Sequence, residues 1–352
     1  MKVLIVGLGG IGQRHARNLR TLLGDEVDLL AYRVRGRSHV ITASLDINSA
    51  RDVEAELGIS AFDSLPAALG QRPDAAFICN PTSLHVPVAL QCVEAGCDVL
   101  LEKPVSHSLM GIADLRKAVS AEKRIVMLGY QLRFHPCLER LREMLDDDLC
   151  GKPIAARVWV GEDLRGWHRY EDYRDMYASR AELGGGVVLS QIHELDYIYD
   201  LFGVPNRIFA LGGHVSALEI DVEDVCSALL QFEINGRVLP VHLQQDYLQV
   251  PTSRGCEILC ERGRISMDLV AATLVCRDAC GNICESQQWS GFERNQLFVD
   301  ELRHFLHCVE TRERPVVDLD DGIWSLQMAL AAKESLRSGC VVELPRTLDH
   351  VN

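Results

Sequence analysis

Short apolar runs alternate with longer amphipathic stretches along the first third of the chain. Val3–Val6, Val27–Tyr32, Ala75–Cys79, Asp98–Leu101 and Arg124–Leu128 read as buried strands. Between them Gly10–Leu23, Ser49–Leu57, Ser64–Leu69, Ser83–Ala95 and Gly111–Ala121 read as helices. Strands joined by helices of this length predict βαβ crossovers, hence a parallel sheet covered on both faces. Residues 1–128 are therefore expected to form a doubly wound α/β domain of Rossmann type. After Gly129 the rhythm changes. A helix (Cys137–Leu145) and a strand (Ile154–Val160) lead into a polar, aromatic loop from Glu162 to Arg180, then a helix over 186–201. Five strand-like runs follow: Arg207–Leu211, Cys226–Phe232, Arg237–Leu243, Glu257–Cys260 and Leu274–Cys276. Two helices, Asn295–Glu310 and Gly322–Ser338, come last. Strands in succession, then helices, predict an α+β domain over residues 129–352 with a mostly antiparallel sheet. Nothing between the halves reads as a flexible linker, so the junction is expected to be packed and to hold a ligand cleft.

The turn after the first strand carries the clearest chemistry. Gly7, Gly9 and Gly12 match the spacing G-x-G-x-x-G, with Gly10 and Ile11 completing the loop before the helix. The first glycine permits a tight turn, the second lets a pyrophosphate approach the backbone, and the third lets helix and strand pack closely. Helix N-terminal amides then face the diphosphate charge. A nicotinamide dinucleotide is the expected ligand. An NAD site usually carries an acid about 20 residues further on, at the end of the second strand. Here Arg33, Arg35 and Arg37 occupy that region instead. A guanidinium suits a 2′-phosphate that an acid would repel, so NADP(H) is expected over NAD(H). A solvated basic loop is the plain alternative.

Composition narrows the partners. A net charge of -14 argues against nucleic acid, whose binding draws on clustered positive charge. It leaves room for a small anion held by a few local arginines. The opening apolar run ends at Gly7, too short for a signal peptide, and no run approaches the ~20 residues of a membrane span. Thirteen scattered cysteines, an odd number, fit reduced thiols in the cytoplasm. Cys276, Cys280 and Cys284 recur every four residues, but Asp278–Asn282 reads as a turn between two strands, and no metal is expected.

Ligands of open α/β sheets lie beyond the carboxyl ends of the strands. Two loops there stand out. Asn80, Thr82 and His85 follow the strand Ala75–Cys79 and are expected to touch the cofactor, although Thr82 can equally serve as a helix cap. Glu102, Lys103 and Pro104 follow the strand Asp98–Leu101. A lysine beside a nicotinamide can hydrogen-bond a substrate hydroxyl and help its proton leave. Pro104 fixes the backbone here and is a candidate for a cis bond.

The glycine loop, the N-P-x-x-x-H loop, Glu102-Lys103-Pro104 and a later glycine–histidine segment occur in the order typical of one family. The chain resembles the glucose-fructose oxidoreductase / inositol dehydrogenase (Gfo/Idh/MocA) family over nearly its whole length. The resemblance implies a Rossmann domain followed by a substrate domain with a large open sheet, often used for oligomer contacts. A homodimer or homotetramer is expected on that basis. It implies NAD(P)-linked oxidation or reduction of sugars, sugar derivatives or cyclitols, with Lys103 as the catalytic lysine and the dinucleotide also meeting Glu102. Leu183-Gly184-Gly185-Gly186 through Ser190 to His193 resembles the family's catalytic helix, which makes His193 the general acid/base. Many members carry an Asp where this chain has Leu189 and Ser190, so whether His193 has an acidic partner stays open. Ser190 can still face the substrate, and Asp196 is the nearest acid on that face. Arg133, Tyr173 and Tyr177 lie in segments resembling the family's substrate region. Two other readings stay open: a redox-neutral sugar hydrolase or epimerase that uses NAD(P) transiently, and a silent dinucleotide-binding sensor or partner subunit.

Overall fold

The computed structural model of the chain describes residues 1–34, 39–42, 47–168, 170–234 and 236–348. The first part folds into a six-stranded sheet in the order Ile59–Phe62, Asp28–Tyr32, Lys2–Val6, Ala75–Ile78, Asp98–Glu102, Val126–Gly129, every pair parallel. Helices cover both faces. That is why Val3, Leu4, Ile5 and Val6 are all buried and the strands read as continuous apolar runs. The chain winds outward in one direction from Lys2–Val6, then returns to start Ala75–Ile78 on its other side. The crevice at the carboxyl ends of these two strands is the topological switch point, and the glycine loop lies there.

Residues 49–57 depart from the helix expected of them. The helix spans only Val53–Leu57, capped by the Asp52 carboxylate, which accepts from the amides of Glu54 and Ala55 at 3.0 Å each. The preceding Ile47–Asp52 is a strand paired with His39–Ile41. A capping acid within an apparent helical run marks its true start.

The second part is built on a nine-stranded sheet. Its order is Ile283–Gln288, Thr273–Asp278, Gly263–Asp268, Ser253–Cys260, Pro153–Gly161, Arg237–Asp246, Val225–Ile234, Arg207–Gly213, Val342–Glu343. All neighbours are antiparallel except Pro153–Gly161 beside Arg237–Asp246. Ile59–Phe62, Gly263–Asp268 and Val342–Glu343 are strands that periodicity did not reveal, while the strand expected after the Asp278–Asn282 turn is Ile283–Gln288. Ile283–Gln288 is mostly exposed and has no buried face to leave an apolar pattern. Helices His193–Phe202 and Leu319–Ser338 cover one face of this sheet, while Leu211, Leu229, Val238 and Leu259 stand exposed on the other. Cys276 is buried, whereas Cys280 and Cys284 lie exposed around the turn between the last two hairpin strands.

The helix Arg294–Thr311 returns from this sheet to the first one. Leu302 and Phe305 are buried in one cluster with Val3, Ile5, Leu29 and Phe77. Phe305 meets Phe77 edge-on at 5.4 Å, and burying one such ring contributes about 1.5–3 kcal/mol. At the start of the helix the Asn295 amide donates to Asn18 Oδ1 at 3.0 Å. This sets residues 294–298 against the glycine-loop helix, Gly10–Leu23. No helix among the described residues is long and apolar enough to cross a membrane.

Candidate active site

The three motif glycines each answer a separate constraint. Gly7 has φ +95°, and a Cβ there would come within 3.0 Å of the Cys79 carbonyl oxygen. A Cβ on Gly12 would collide with the carbonyl oxygen of Gly7, so helix and strand pack only without one. A Cβ on Gly9 would meet nothing within 4 Å. The backbone at Gly9 thus borders open space, and as helix N-cap it supplies no side chain to the first-turn amides. The helix's first turn holds no acid. Unpaired amides facing open space suit a diphosphate, so these residues fit a dinucleotide. Ile11 is half-buried beside them. Gly10 is overhung by the Tyr170 hydroxyl, 2.8 Å from where a Cβ would sit. Tyr170 comes from the loop between Glu162 and Arg180 and stacks on His168 at 4.9 Å.

At the end of the second strand Arg33 forms an ion pair of 2.5 Å with Glu54. The guanidinium expected to meet a 2′-phosphate is therefore held by a carboxylate. Arg35, and Arg37 with it, lie outside the described residues.

The strand-end loops are more tightly bound than their polar letters imply. His85, expected to face the cofactor, is buried, with Nδ1 2.7 Å from the Pro104 carbonyl and Nε2 2.9 Å from that of Asn80. Both partners are acceptors, so the neutral ring donates to one carbonyl and packs against the other, and His85 ties the two loops together. Thr82 is buried beneath Gly184, where a Cβ would approach its own Cβ to 2.9 Å. Asn80 Oδ1 is buried with no hydrogen-bond partner among the described residues and remains available. Glu102 accepts from His15 Nε2 at 2.9 Å, which fastens the lysine-bearing strand end to the glycine-loop helix.

Lys103 precedes a cis peptide bond to Pro104. Its Nζ donates to the main-chain carbonyl of Ser190 at 2.6 Å. That carbonyl is free because the helix expected over 186–201 is broken. Val187–Ser190 forms one turn, and a second helix spans His193–Phe202. At the break Gln191 Nε2 donates to the Asp246 carbonyl at 3.0 Å, and Gln245 Nε2 donates to the Gln191 carbonyl at 2.7 Å. The Gln245 side chain of the neighbouring strand thus takes a carbonyl at the break, and the Gln191 side chain returns a bond to that strand's main chain. The break points one carbonyl at Lys103.

His193 opens the second helix, 4% exposed, with its ring edge-on to Tyr130 at 5.6 Å. Nδ1 is buried and has no partner among the described residues. Burial first, then the charges of Lys103, Arg254 and Arg294, hold its pKa well below the usual imidazole range. The ring is neutral at neutral pH. Asp196 does not partner it. Its carboxylate takes the Arg133 guanidinium in a bidentate pair, at 2.7 Å from Nε and 2.9 Å from Nη2. Arg133 also pairs with Asp200. Arg133, expected to touch ligand, is 5% exposed and committed to two carboxylates, which corrects that expectation. Glu194 is likewise taken, by Arg254 at 2.6 and 2.9 Å.

Ser190 Oγ is buried beside this junction, next to the Tyr247 hydroxyl. The Tyr173 hydroxyl accepts from the Glu219 amide at 3.2 Å, and Tyr177 is half-buried near Tyr247. The structure thus unites Lys103, Ser190 and His193, while Tyr173 is anchored to another loop. Arg14, Arg254 and Arg294 neighbour this site and went unread in the sequence. Each comes from a different segment, so no local spacing marks them.

Comparison with known proteins agrees with this architecture. Residues 1–130 match the model of the oxidoreductase family with an NAD-binding Rossmann fold, and residues 138–266 match the GFO/IDH/MocA C-terminal domain. The chain is 25% identical to myo-inositol 2-dehydrogenase of Thermotoga maritima over 99% of its length and 100% of that protein's. It is 26% identical to scyllo-inositol 2-dehydrogenase (NAD(+)) of Bacillus subtilis, over 98% and 96% respectively. The crystal structure of myo-inositol 2-dehydrogenase from Lactobacillus plantarum superposes with a TM-score of 0.78 at 22% identity, covering 98% of this chain and 99% of that one. Glycine loop, strand-end lysine, two-sheet architecture and matched segments together show that the chain belongs to the GFO/IDH/MocA family of oxidoreductases.

Proposed function

We propose that this protein is an NAD(P)-dependent dehydrogenase or reductase acting on a hydroxyl or keto carbon of a sugar, sugar derivative or cyclitol. The observation that carries the reading is the 2.6 Å hydrogen bond from Lys103 Nζ to the Ser190 carbonyl, which joins the strand-end lysine to the segment bearing His193. In this reading residues 1–128 hold the coenzyme, and residues 129–352 hold the substrate and contacts between copies. A bound nicotinamide supplies the hydride acceptor or donor. With one N–H given to Ser190, the Lys103 ammonium keeps two for the substrate oxygen. The neutral imidazole of His193 accepts the hydroxyl proton in the oxidative direction, and Ser190 Oγ, Asn80 Oδ1 and Tyr177 orient the remaining polar groups. The exposed leucines of the large sheet support a homo-oligomer built on that face. Cysteines that are mostly buried as thiols fit a cytoplasmic setting.

NADP(H) is the favoured coenzyme, because arginines replace the usual acid after the second strand. One observation favours NAD(H) instead: Glu54 already holds Arg33 at 2.5 Å. The test is a panel of cyclitols, aldoses and sugar acids with each coenzyme, following absorbance of the reduced nicotinamide. Turnover of at least one polyol, with the lower KM for NADP+, supports the reading. Tightly retained coenzyme without net turnover would favour a redox-neutral reaction.

A further inference from the structure

Two arginines near the coenzyme cleft have no ion-pair partner in contact among the described residues. Arg14 stands in the second turn of the glycine-loop helix, and its guanidinium carbon lies 4.5 Å from the centre of the Phe298 ring. Arg294 opens the helix that packs against it. Arg14 and Asn18 are four residues apart on one helix, and Arg294 and Phe298 are four apart on the other. Asn18 bonds Asn295 while Arg14 meets Phe298, so the two stripes face one another and bring Arg14 and Arg294 together. Among the described residues neither guanidinium forms a hydrogen bond or ion pair with a side chain. Burial, then the neighbouring Arg294 and Arg17, lower the Arg14 pKa to about 10, against the smaller opposing effect of Glu102. Glu162 and Arg254 also neighbour Arg294, the one favouring its charge and the other opposing it. Adjacent like charges with no carboxylate in contact favour an anion that completes the site. Tyr170 neighbours Arg14 and overhangs Gly10, which brings Arg14 to the glycine loop.

We propose that Arg14 and Arg294 form a two-guanidinium clamp on the diphosphate of the bound dinucleotide. Each planar fork donates to phosphate oxygens, adding charge-assisted hydrogen bonds to those of the helix amides. The helix Arg294–Thr311 thereby becomes part of the coenzyme site. This requires only that the chain bind a dinucleotide and is independent of the substrate.

The test measures ADP-ribose, which carries the diphosphate without the nicotinamide, against adenosine, which has neither. Arg14→Gln and Arg294→Gln should each weaken ADP-ribose about tenfold, leave adenosine unchanged and flatten the salt dependence of ADP-ribose binding. Arg14→Lys and Arg294→Lys should recover part of the loss, and thermal unfolding checks that every variant is folded. ADP-ribose affinity within about twofold of the parent in both Gln variants would overturn the proposal. Equal weakening of adenosine would overturn it too. So would an effect confined to the KM of an acidic substrate, which would assign the arginines to the substrate.

Discussion

Lys103 Nζ and the carbonyl oxygen of Ser190 lie 2.6 Å apart, across 87 residues of sequence. The lysine ends a strand of the parallel sheet, and the carbonyl ends a helical turn beside the large sheet. One hydrogen bond therefore fixes the ammonium relative to His193. Lys103→Met should lower kcat by roughly 10²–10⁴-fold, the range of a lost proton-transfer or oxygen-stabilising group. Dinucleotide affinity, measured by fluorescence titration, should change little. Unaltered kcat would remove Lys103 from the chemistry.

His193 should set the acid limb of the pH profile. Burial and three cations hold its pKa well below 6.5, so the ring stays a proton acceptor down to mildly acidic pH. In the oxidative direction kcat/KM should fall only as pH drops below 6.5, and that limb should vanish in His193→Asn along with most of the turnover. An acid limb unchanged in the variant would assign it to another group.

Arg133 should matter for stability before affinity. Its side chain is 4% exposed and that of Asp196 is 1%, so truncation leaves a buried carboxylate without its bidentate partner. Arg133→Met should cost about 3–5 kcal/mol in denaturant unfolding. A variant as stable as the parent but with a raised substrate KM would return Arg133 to the substrate.

Glu301 predicts a pH effect of known sign. It is fully buried, and neither carboxylate oxygen has a partner among the described residues. It lies between Phe298 and Phe305 on a helix face that packs against His15 and Phe77. Burial first, then the charge of Glu102, raises its pKa well above the usual 4.5. A carboxyl whose folded pKa is raised stabilises fully below its unfolded pKa and loses that contribution as pH rises towards the folded value. The difference in unfolding free energy between parent and Glu301→Gln should therefore move against the parent as pH climbs above 4.5. A difference independent of pH would show that the group is not neutral in the fold.

Much of this was legible locally. The glycine loop, its strand and its helix are consecutive, so Gly7, Gly9 and Gly12 declare their geometry without tertiary help. Lys103 and His193 were readable because each sits in a short motif. The break at Gln191 was not, because Gln245 and Asp246 impose it from a strand more than fifty residues away. Arg133 misled for the same reason. An arginine in a polar junction looks ligand-facing until Asp196 and Asp200 are brought beneath it. Asp196, the acid nearest His193 in sequence, is held by Arg133 instead. Arg294 gave no sign at all, since its meaning depends on Arg14, 280 positions earlier.

The most direct test of the central claim is steady-state turnover of a cyclitol and sugar panel with NADP+ and NAD+, run in parallel on the parent, Lys103→Met and His193→Asn. The account predicts substrate-dependent coenzyme reduction by the parent, near-complete loss in both variants, and coenzyme binding retained in all three. Coenzyme binding with no turnover of any substrate by the parent, or full turnover by both variants, would contradict it.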